Sequence, residues 1–216
     1  MILHELTYPK LSDFTKTSII ETWCGIEGKY VNNPNDRGGE TNFGITIATA
    51  NENKADLVAK FGWNGRMQDL TREMAFWIYE EKWWKRMRCD DLLAIHPFIA
   101  DRVFDLAING GRGLGVKTFQ RILNACNRQG KDYKDIAVDG GLGNASVEAL
   151  KAYVAKRGQD GIDNFVFYQL SIQGEHYISL AEADPRQEEF VNGWGSRVSK
   201  INRLYNRVLL GAKETA

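Results

Sequence analysis

Residue types that often mark a metal site or a disulfide scaffold are scarce in this sequence. Its 216 residues include three cysteines, widely spaced and without a CxxC or Cys/His pattern: Cys24, Cys89 and Cys126. This spacing predicts neither a zinc site nor a disulfide framework. All three lie in or beside apolar helical stretches, so we expect buried free thiols in a protein made in a reducing compartment. The three histidines are equally scattered and give no basis for a Ser/His/Asp or metal cluster.

An excess of one charge and long apolar runs are absent as well. The 28 basic and 28 acidic residues give a formal net charge of zero, which provides no global field to draw the chain onto nucleic acid or an anionic membrane. No apolar run is long enough for a membrane-spanning helix. The first fourteen residues lack the basic region and apolar run of a conventional signal peptide, so we expect synthesis in the cytoplasm without export by such a peptide.

The residues that are present favour a helical protein with one core. Hydrophobic residues make up 43% of the chain and charged residues 26%, values typical of a globular domain. Apolar positions recur at helical spacing, with Ser12 or Asp13 as the predicted cap of the first helix. Further helices are predicted over about 49–61, from Thr71, from Pro97, over 116–126, over 161–182 with Phe165, Tyr168, Ile172, His176 and Leu180 on one face, and over 190–208. Alternation of Phe43, Ile45 and Ile47 predicts a short hairpin.

The long polar loop between the first two helices carries most of the functional information. Its first residue, Glu27, follows Ile20 and Trp23 at i+7 and i+4, so its carboxyl group falls on the apolar face, where the pKa should rise. Asp36 lies nine positions on, among Asn, Arg and Gly residues. Two carboxyl groups in contrasting environments suit acid-catalysed hydrolysis of a glycosidic bond. Spacing alone leaves open that Glu27 caps or pairs locally and that Asp36 is a turn residue.

Two adjacent tryptophans indicate a second exposed feature. Trp83 and Trp84 cannot both face the core of one helix, so one of them is expected to line a surface or cleft. The alternative is a tryptophan that is only half-buried at the end of a helix.

The loop resembles the opening motif of glycoside hydrolase family 108, whose members are N-acetylmuramidases, mostly phage lysins. Residues Glu27 to Thr46 read Glu-Gly-x-Tyr-x-Asn-x-Pro-x-Asp-x-Gly-Gly-x-Thr-x-x-Gly-Ile-Thr. Further similar segments follow in the family's order at 70–75, 78–79, 83–84, 104–110, 138–143 and 193–198. Together they extend over most of the chain, which makes the resemblance far more specific than one motif.

The resemblance implies an α+β, mainly α-helical, lysozyme-like fold with a small β-hairpin beside the active-site cleft. It implies a muramidase segment at 1–95 and a helical peptidoglycan-binding-like segment at 96–216, packed into one globular domain. The expected partner is the glycan strand of peptidoglycan, cleaved at the β-1,4 bond between N-acetylmuramic acid and N-acetylglucosamine. No metal, organic cofactor, nucleic acid or membrane anchor is expected. The protein is expected to be a monomer, released from a host cytoplasm by a holin-type pore or delivered within a phage particle.

The resemblance also assigns catalytic roles. Glu27 matches the family's catalytic acid. The Glu-x8-Asp spacing to Asp36 is similar to that of small phage lysozymes, whose triad adds a threonine a few residues on. Thr41 is the nearest match, one residue closer than that pattern expects, and Thr46 is the alternative. Lys29 departs from the family, which usually has a second glycine there; we expect this charge to face solvent.

Three further residues are expected to bind the sugar or its N-acetyl group: Tyr30, Asn42 and Asn109. The alternative is that they only support the loop. Two other functions remain open on the sequence. A lytic transglycosylase would keep the single catalytic glutamate and form a 1,6-anhydro product, and a non-catalytic wall-binding or virion module would bind without cleaving.

Overall fold

The computed structural model describes residues 11–26, 28–32 and 39–214. Helices make up most of the described chain, as the sequence predicts, and one two-stranded sheet lies between the first two of them. The elements are α1 (Lys16–Ile26), β1 (Thr41–Asn42), β2 (Ile45–Thr46), α2 (Ile47–Glu52), α3 (Lys54–Phe61), α4 (Arg72–Ile78), a π-helical segment (Tyr79–Trp84), α5 (Cys89–Ile95), α6 (Pro97–Gly110), α7 (Arg112–Cys126), α8 (Asn144–Ala183) and α9 (Glu188–Glu214). Short 3-10 turns lie at Leu11–Asp13, Met67–Asp69, Lys85–Met87 and Pro185–Gln187.

Thr15 forms the N-terminal cap of α1, not the predicted Ser12 or Asp13. Its hydroxyl accepts a hydrogen bond from the Ser18 backbone N–H at 3.1 Å, and the Ser18 hydroxyl accepts from the Thr15 N–H at 2.8 Å. This reciprocal pair satisfies two N–H groups that a helix start leaves without a partner. Ser12 and Asp13 belong instead to a preceding 3-10 turn.

The hairpin is shorter than the predicted alternation. β1 and β2 pair antiparallel, with Thr41 opposite Thr46 and Asn42 opposite Ile45. The turn residues Phe43 and Gly44 both have positive φ, 50° and 74°, as a two-residue type I′ turn requires. Phe43 is therefore a turn residue, and the chain after Thr46 enters α2 at once.

The predicted helix over 49–61 is two helices. It is interrupted at Asn53, whose φ and ψ of −108° and 11° are not helical. The Asn53 amide donates to the Thr49 carbonyl at 2.7 Å, and such local side-chain bonds compete with helical geometry. Leu57 on α3 is buried, but Val58 is 47% exposed, so the buried face is narrower than predicted.

Helix α6 lies at the centre of the core. Pro97 occupies its first turn, as predicted, and α5, α7 and α8 pack around it. Its approach to α7 is very close, because a Cβ atom placed on Gly115 would lie 2.7 Å from the Ala107 Cβ. Phe104 packs edge-on against Trp84, with ring centroids 5.2 Å apart.

Helix α8 turns a different face to the core from the one predicted. It is interrupted at Gly158, with φ 55° and ψ −140°. Tyr168, on the predicted apolar face, is 44% exposed, and His176 is only half-buried. The buried positions beyond the interruption include two glutamines: Ile162, Phe165, Val166, Gln169, Leu170, Gln173 and Tyr177. These glutamines face polar groups of α6, so apolar periodicity could not indicate this face.

The remaining expectations for buried side chains are mostly met. Cys24 and Cys89 are buried free thiols, and Cys126 is a half-buried one. Burial raises the pKa of Cys24 to about 12, so this thiol stays protonated and inert. Trp84 is buried, and Trp83 is half-buried with part of its surface packed against the core, which is the alternative stated above. Within the described ranges no helix is long and apolar enough to cross a membrane, and no cluster of His, Cys, Asp and Glu suits a metal ion.

Candidate active site

The described part of the motif that starts at Glu27 folds into one unit at the end of α1. The Gly28 carbonyl accepts a hydrogen bond from the Phe43 N–H at 3.1 Å. Val31 and Thr41 exchange both backbone hydrogen bonds, at 2.8 and 2.9 Å. The chain that leaves α1 therefore runs beside β1, and the hairpin is fixed directly next to the helix end.

The two predicted carboxyl groups, Glu27 and Asp36, lie outside the described residues, and their catalytic roles stay predictions. The two candidate threonines are described and differ in their bonding. The Thr46 hydroxyl caps α2, accepting from the Thr49 N–H at 3.2 Å and sharing a 3.1 Å hydrogen bond with the Thr49 hydroxyl. The half-buried Thr41 hydroxyl donates to the Gly39 carbonyl at 3.2 Å and accepts no hydrogen bond from the described residues.

Tyr30 lies beside the hairpin with a carboxylate that sequence reasoning did not single out. Its hydroxyl donates to Glu40 Oε2 at 3.2 Å. Desolvation and the negative charge of Glu40 raise the pKa of Tyr30, so the phenol stays protonated at neutral pH. The Glu40 carbonyl also accepts from the Ile47 N–H at 2.8 Å, which fixes the backbone that carries this carboxylate. A conspicuous signal for Glu40 was available, since it is a carboxylate within the Gly-Gly-x-Thr part of the motif.

Asn42 holds the hairpin to the rest of the fold. It is 4% exposed, and its amide nitrogen donates to the Met67 carbonyl at 2.8 Å and the Leu70 carbonyl at 3.1 Å. Both amide hydrogens are thus used inside the protein. The structure gives Asn42 a positioning role, and its contact with a sugar stays a prediction.

Asn109 is likewise bonded within the fold. Its amide donates to the carbonyl and the Oδ1 atom of Asp105, each at 2.8 Å. Its own Oδ1 accepts from Arg197 Nη1 at 2.8 Å. Asn109 therefore joins α6 to α9, and its predicted contact with a sugar is likewise untested.

The centre of this arrangement is the carboxylate of Asp105, which is 0% exposed. Besides Asn109, it accepts from Arg197 Nη2 at 2.8 Å, Arg102 Nη1 at 3.0 Å and Gln173 Nε2 at 3.1 Å. Several charge-assisted hydrogen bonds offset the cost of burying an ionised group. The Asp105 carboxylate thereby connects α6, α8 and α9.

Trp23 links this ionic cluster to α1. Its indole N–H donates to Asp101 Oδ1 at 3.2 Å, and the Arg197 guanidinium carbon lies 4.3 Å from the centre of its ring. Burial raises the pKa of Asp101, an effect that the neighbouring Arg102 opposes. Trp23 lies in the last turn of α1, one helical turn before position 27 in the sequence. The cluster therefore holds the helix end from which the motif begins. Sequence reasoning noted the segments around Asp105 and Arg197 but could not pair them.

Comparisons with known proteins agree with this architecture. Residues 20–111 match the family model described as glycosyl hydrolase 108, and residues 114–199 match a model described as a predicted peptidoglycan domain. Ten chains of solved structures are similar to this one. Among them is SagA of Brucella abortus, which is 25% identical, with a TM-score of 0.61 over 91% of this chain and 96% of that chain. No curated protein matches the sequence. The mainly helical, lysozyme-like fold with its hairpin is thus confirmed, and the segment at 20–111 belongs to glycosyl hydrolase family 108, which supports a glycoside hydrolase that acts on peptidoglycan.

Proposed function

We propose that the protein hydrolyses the β-1,4 bond between N-acetylmuramic acid and N-acetylglucosamine, with Glu27 as the general acid. The main support for this proposal is the place of the motif between α1 and the hairpin. The segment matched to glycosyl hydrolase 108 contains Glu27, and the described residues on either side of it connect α1 to the hairpin. A catalytic acid at this junction would have helix α1 on one side and the polar hairpin on the other.

In the proposed mechanism, protonated Glu27 donates its proton to the leaving glycosidic oxygen as the bond to the sugar carbon breaks. Asp36 stabilises the developing oxocarbenium charge or activates the attacking water. The Thr41 hydroxyl, which accepts no hydrogen bond from the described part of the chain, helps to place that water. The water then adds to the sugar carbon and leaves a reducing muramic end.

The two parts of the chain would have different functions. We assign cleavage to the muramidase segment at 1–95 and glycan-strand binding to the helical segment at 96–216, with both packed around α6 as one monomeric unit. The peptidoglycan-domain match at 114–199 supports the binding role. We further propose an endolysin role, with release from the host cytoplasm through a holin-type pore or delivery within a phage particle.

A charge-removing substitution tests the catalytic assignment. Glu27→Gln keeps the size of the side chain but removes the proton donor, so release of reducing ends from purified peptidoglycan should fall by about 10²–10⁴-fold. Glu73→Gln is the matched control, because Glu73 lies exposed in the first turn of α4, and it should retain wild-type activity.

The products distinguish the competing reactions. Mass spectrometry of released fragments should show reducing muramic ends, since water attacks the sugar carbon. A 1,6-anhydro end would instead indicate a lytic transglycosylase. Wall binding without any released ends would indicate a non-catalytic module, and near wild-type activity of Glu27→Gln would rule out Glu27 as the acid.

A further inference from the structure

A cavity lies in the N-terminal half of the described chain. It has a volume of about 280 Å³, near the lower end of the range for small-molecule sites, which suits about one sugar unit. The lining residues come from α2, the break after it, the end of the π-helical segment, the following 3-10 turn and the start of α7: Thr49, Glu52, Asn53, Lys82, Trp83, Arg86 and Arg112. We propose that this cavity, which we call the Trp83 cavity, binds a carboxylate-bearing muramyl unit of the glycan strand, a role that rests on the proposed function.

The indole of Trp83 supplies the apolar wall of the site. Trp83 is half-buried, whereas its neighbour Trp84 is fully buried and donates its indole N–H to Asp90 Oδ1 at 2.8 Å. The buried member of the pair thus anchors the segment while the other ring faces the cavity. A flat aromatic surface suits the apolar C–H face of a sugar ring, and the polar groups around it suit the hydroxyl and amide groups of that sugar.

Two guanidinium groups supply a site for a carboxylate. Arg86 and Arg112 are both exposed, and neither makes an ion pair or side-chain hydrogen bond with any of the described residues. Lys82, in contrast, pairs with Asp56 at 2.6 Å and lies 5.1 Å from the centre of the Trp77 ring. Two arginines without partners beside one tryptophan favour an anionic ligand, because a guanidinium binds carboxylate with two parallel hydrogen bonds.

Of the described residues on the wall of the Trp83 cavity, Glu52 is the one carboxylate, against three cationic side chains. It forms no ion pair within the described chain. The balance of charge on the wall is therefore positive even though the whole protein is neutral.

A larger cavity lies between α7 and α8, and its arginines differ from those of the Trp83 cavity in their pairing. Its volume is about 560 Å³, and its wall also carries arginines, namely Arg128 and Arg157. Both of them pair with the same carboxylate, Asp132. Each of these guanidinium groups already has a carboxylate partner, whereas Arg86 and Arg112 have none among the described residues, so the Trp83 cavity is the better site for a free carboxylate.

The Trp83 cavity is also connected to the hairpin. Thr49 lines it and shares a hydrogen bond with Thr46, the last residue of β2. A glycan strand bound beside the hairpin would thus have a further unit within reach of this cavity. In peptidoglycan the carboxylate belongs either to the lactyl group of muramic acid that has lost its peptide or to the stem peptide, and the two sources can be tested separately.

The test is a binding titration followed by NMR, with three probes: N-acetylglucosamine, N-acetylmuramic acid and muramyl dipeptide. We expect the wild type to bind the two acidic probes about three- to tenfold more tightly than the neutral sugar, a difference that added salt should reduce. The double variant Arg86→Ala/Arg112→Ala should lose this preference. Arg121→Ala is the matched control, because Arg121 is exposed on α7 and does not line the cavity, and it should bind like the wild type.

Trp83 tests the apolar wall separately. Trp83→Ala should weaken all three probes, and Trp83→Phe should retain most of the binding. If Trp83→Ala does not fold, the exposed arginine pair still decides the outcome. Wild-type affinity for every probe in the arginine double variant, or no preference for acidic probes in the wild type, would overturn the proposal. These readouts need no turnover, so failure of the wild type to release reducing ends would refute the proposed function without affecting them.

Discussion

Replacing Asp105 by asparagine should destabilise the protein by about 3–5 kcal/mol, the usual cost of removing one partner from a buried ion pair. This cost is at the high end of the free-energy changes caused by single substitutions, because the whole ion pair is buried. The Asp105 carboxylate is 0% exposed, and the side chains of Arg102 and Arg197 that bind it are 2% and 4% exposed. Asparagine preserves the shape but removes the negative charge that both guanidinium groups share.

Urea denaturation measures this effect directly. With a slope of about 3 kcal/mol/M, suited to a chain of this length, the midpoint should fall by about 1–2 M. Asp69→Asn is the matched control, because Asp69 pairs with Arg66 at 3.3 Å on the surface, and it should cost less than about 1 kcal/mol. A double-mutant cycle with Arg197→Met should give a coupling energy of about 0.5–3 kcal/mol. A cost below about 1 kcal/mol for Asp105→Asn, or strict additivity in the cycle, would show that the Asp105 carboxylate does not hold the two guanidinium groups in place.

Three further predictions concern stability. Burial lowers the pKa of His96 from 6.5 to about 4, so the unfolded state takes up a proton before the folded state does. The free energy of unfolding present above pH 6.5 should therefore decrease by about 3 kcal/mol as the pH falls to 4. His96→Asn should reduce this loss, measured as the difference in free energy of unfolding between urea titrations at pH 7 and 4.5. A difference as large as that of the wild type would contradict this role of His96. Gly115→Ala should cost about 1–3 kcal/mol in the same assay, since the added Cβ would lie 2.7 Å from that of Ala107. The control is Gly113→Ala, which should cost no more than about 0.5 kcal/mol, because Gly113 is exposed and has open space at its Cβ. Asn42→Ala should cost about 1–3 kcal/mol, because the Leu70 carbonyl loses its hydrogen bond from Asn42 and the Met67 carbonyl keeps only the one from the Leu70 N–H; a wild-type melting curve would show that Asn42 does not anchor the hairpin.

Local signals in the sequence determined the helical class and several element boundaries. Pro97 begins α6, and Thr71 caps α4 by accepting from the Met74 N–H at 3.2 Å. Both depend on a few neighbouring residues, because a cap or a fixed φ acts within one helical turn. The order of the motif segments likewise indicated the family without tertiary information.

The tertiary structure decided which polar residues are committed to the fold. Asn42 and Asn109 lie in segments that resemble the family, yet Asn42 donates to backbone carbonyl groups beyond the hairpin and Asn109 donates to Asp105 one turn earlier in α6. Gln169 and Gln173 on α8 are buried for the same reason, since they meet polar groups of α6. Apolar periodicity cannot indicate such a face, because burial of a polar group depends on the partner that satisfies it.

The motif from Glu27 to Thr46 was identifiable from the sequence alone, because its spacing is local and its residue types are distinctive. The side chains that hold this motif in place could not be identified in the same way. Arg197 reaches Asp105 across 92 positions and stacks on Trp23 at the end of α1, a juxtaposition that only the packing of three helices produces. The arginines that line the Trp83 cavity are likewise brought together by folding, since Arg86 and Arg112 belong to different elements. Sequence spacing determined the motif and the family, and long-range packing decided what holds and surrounds the site.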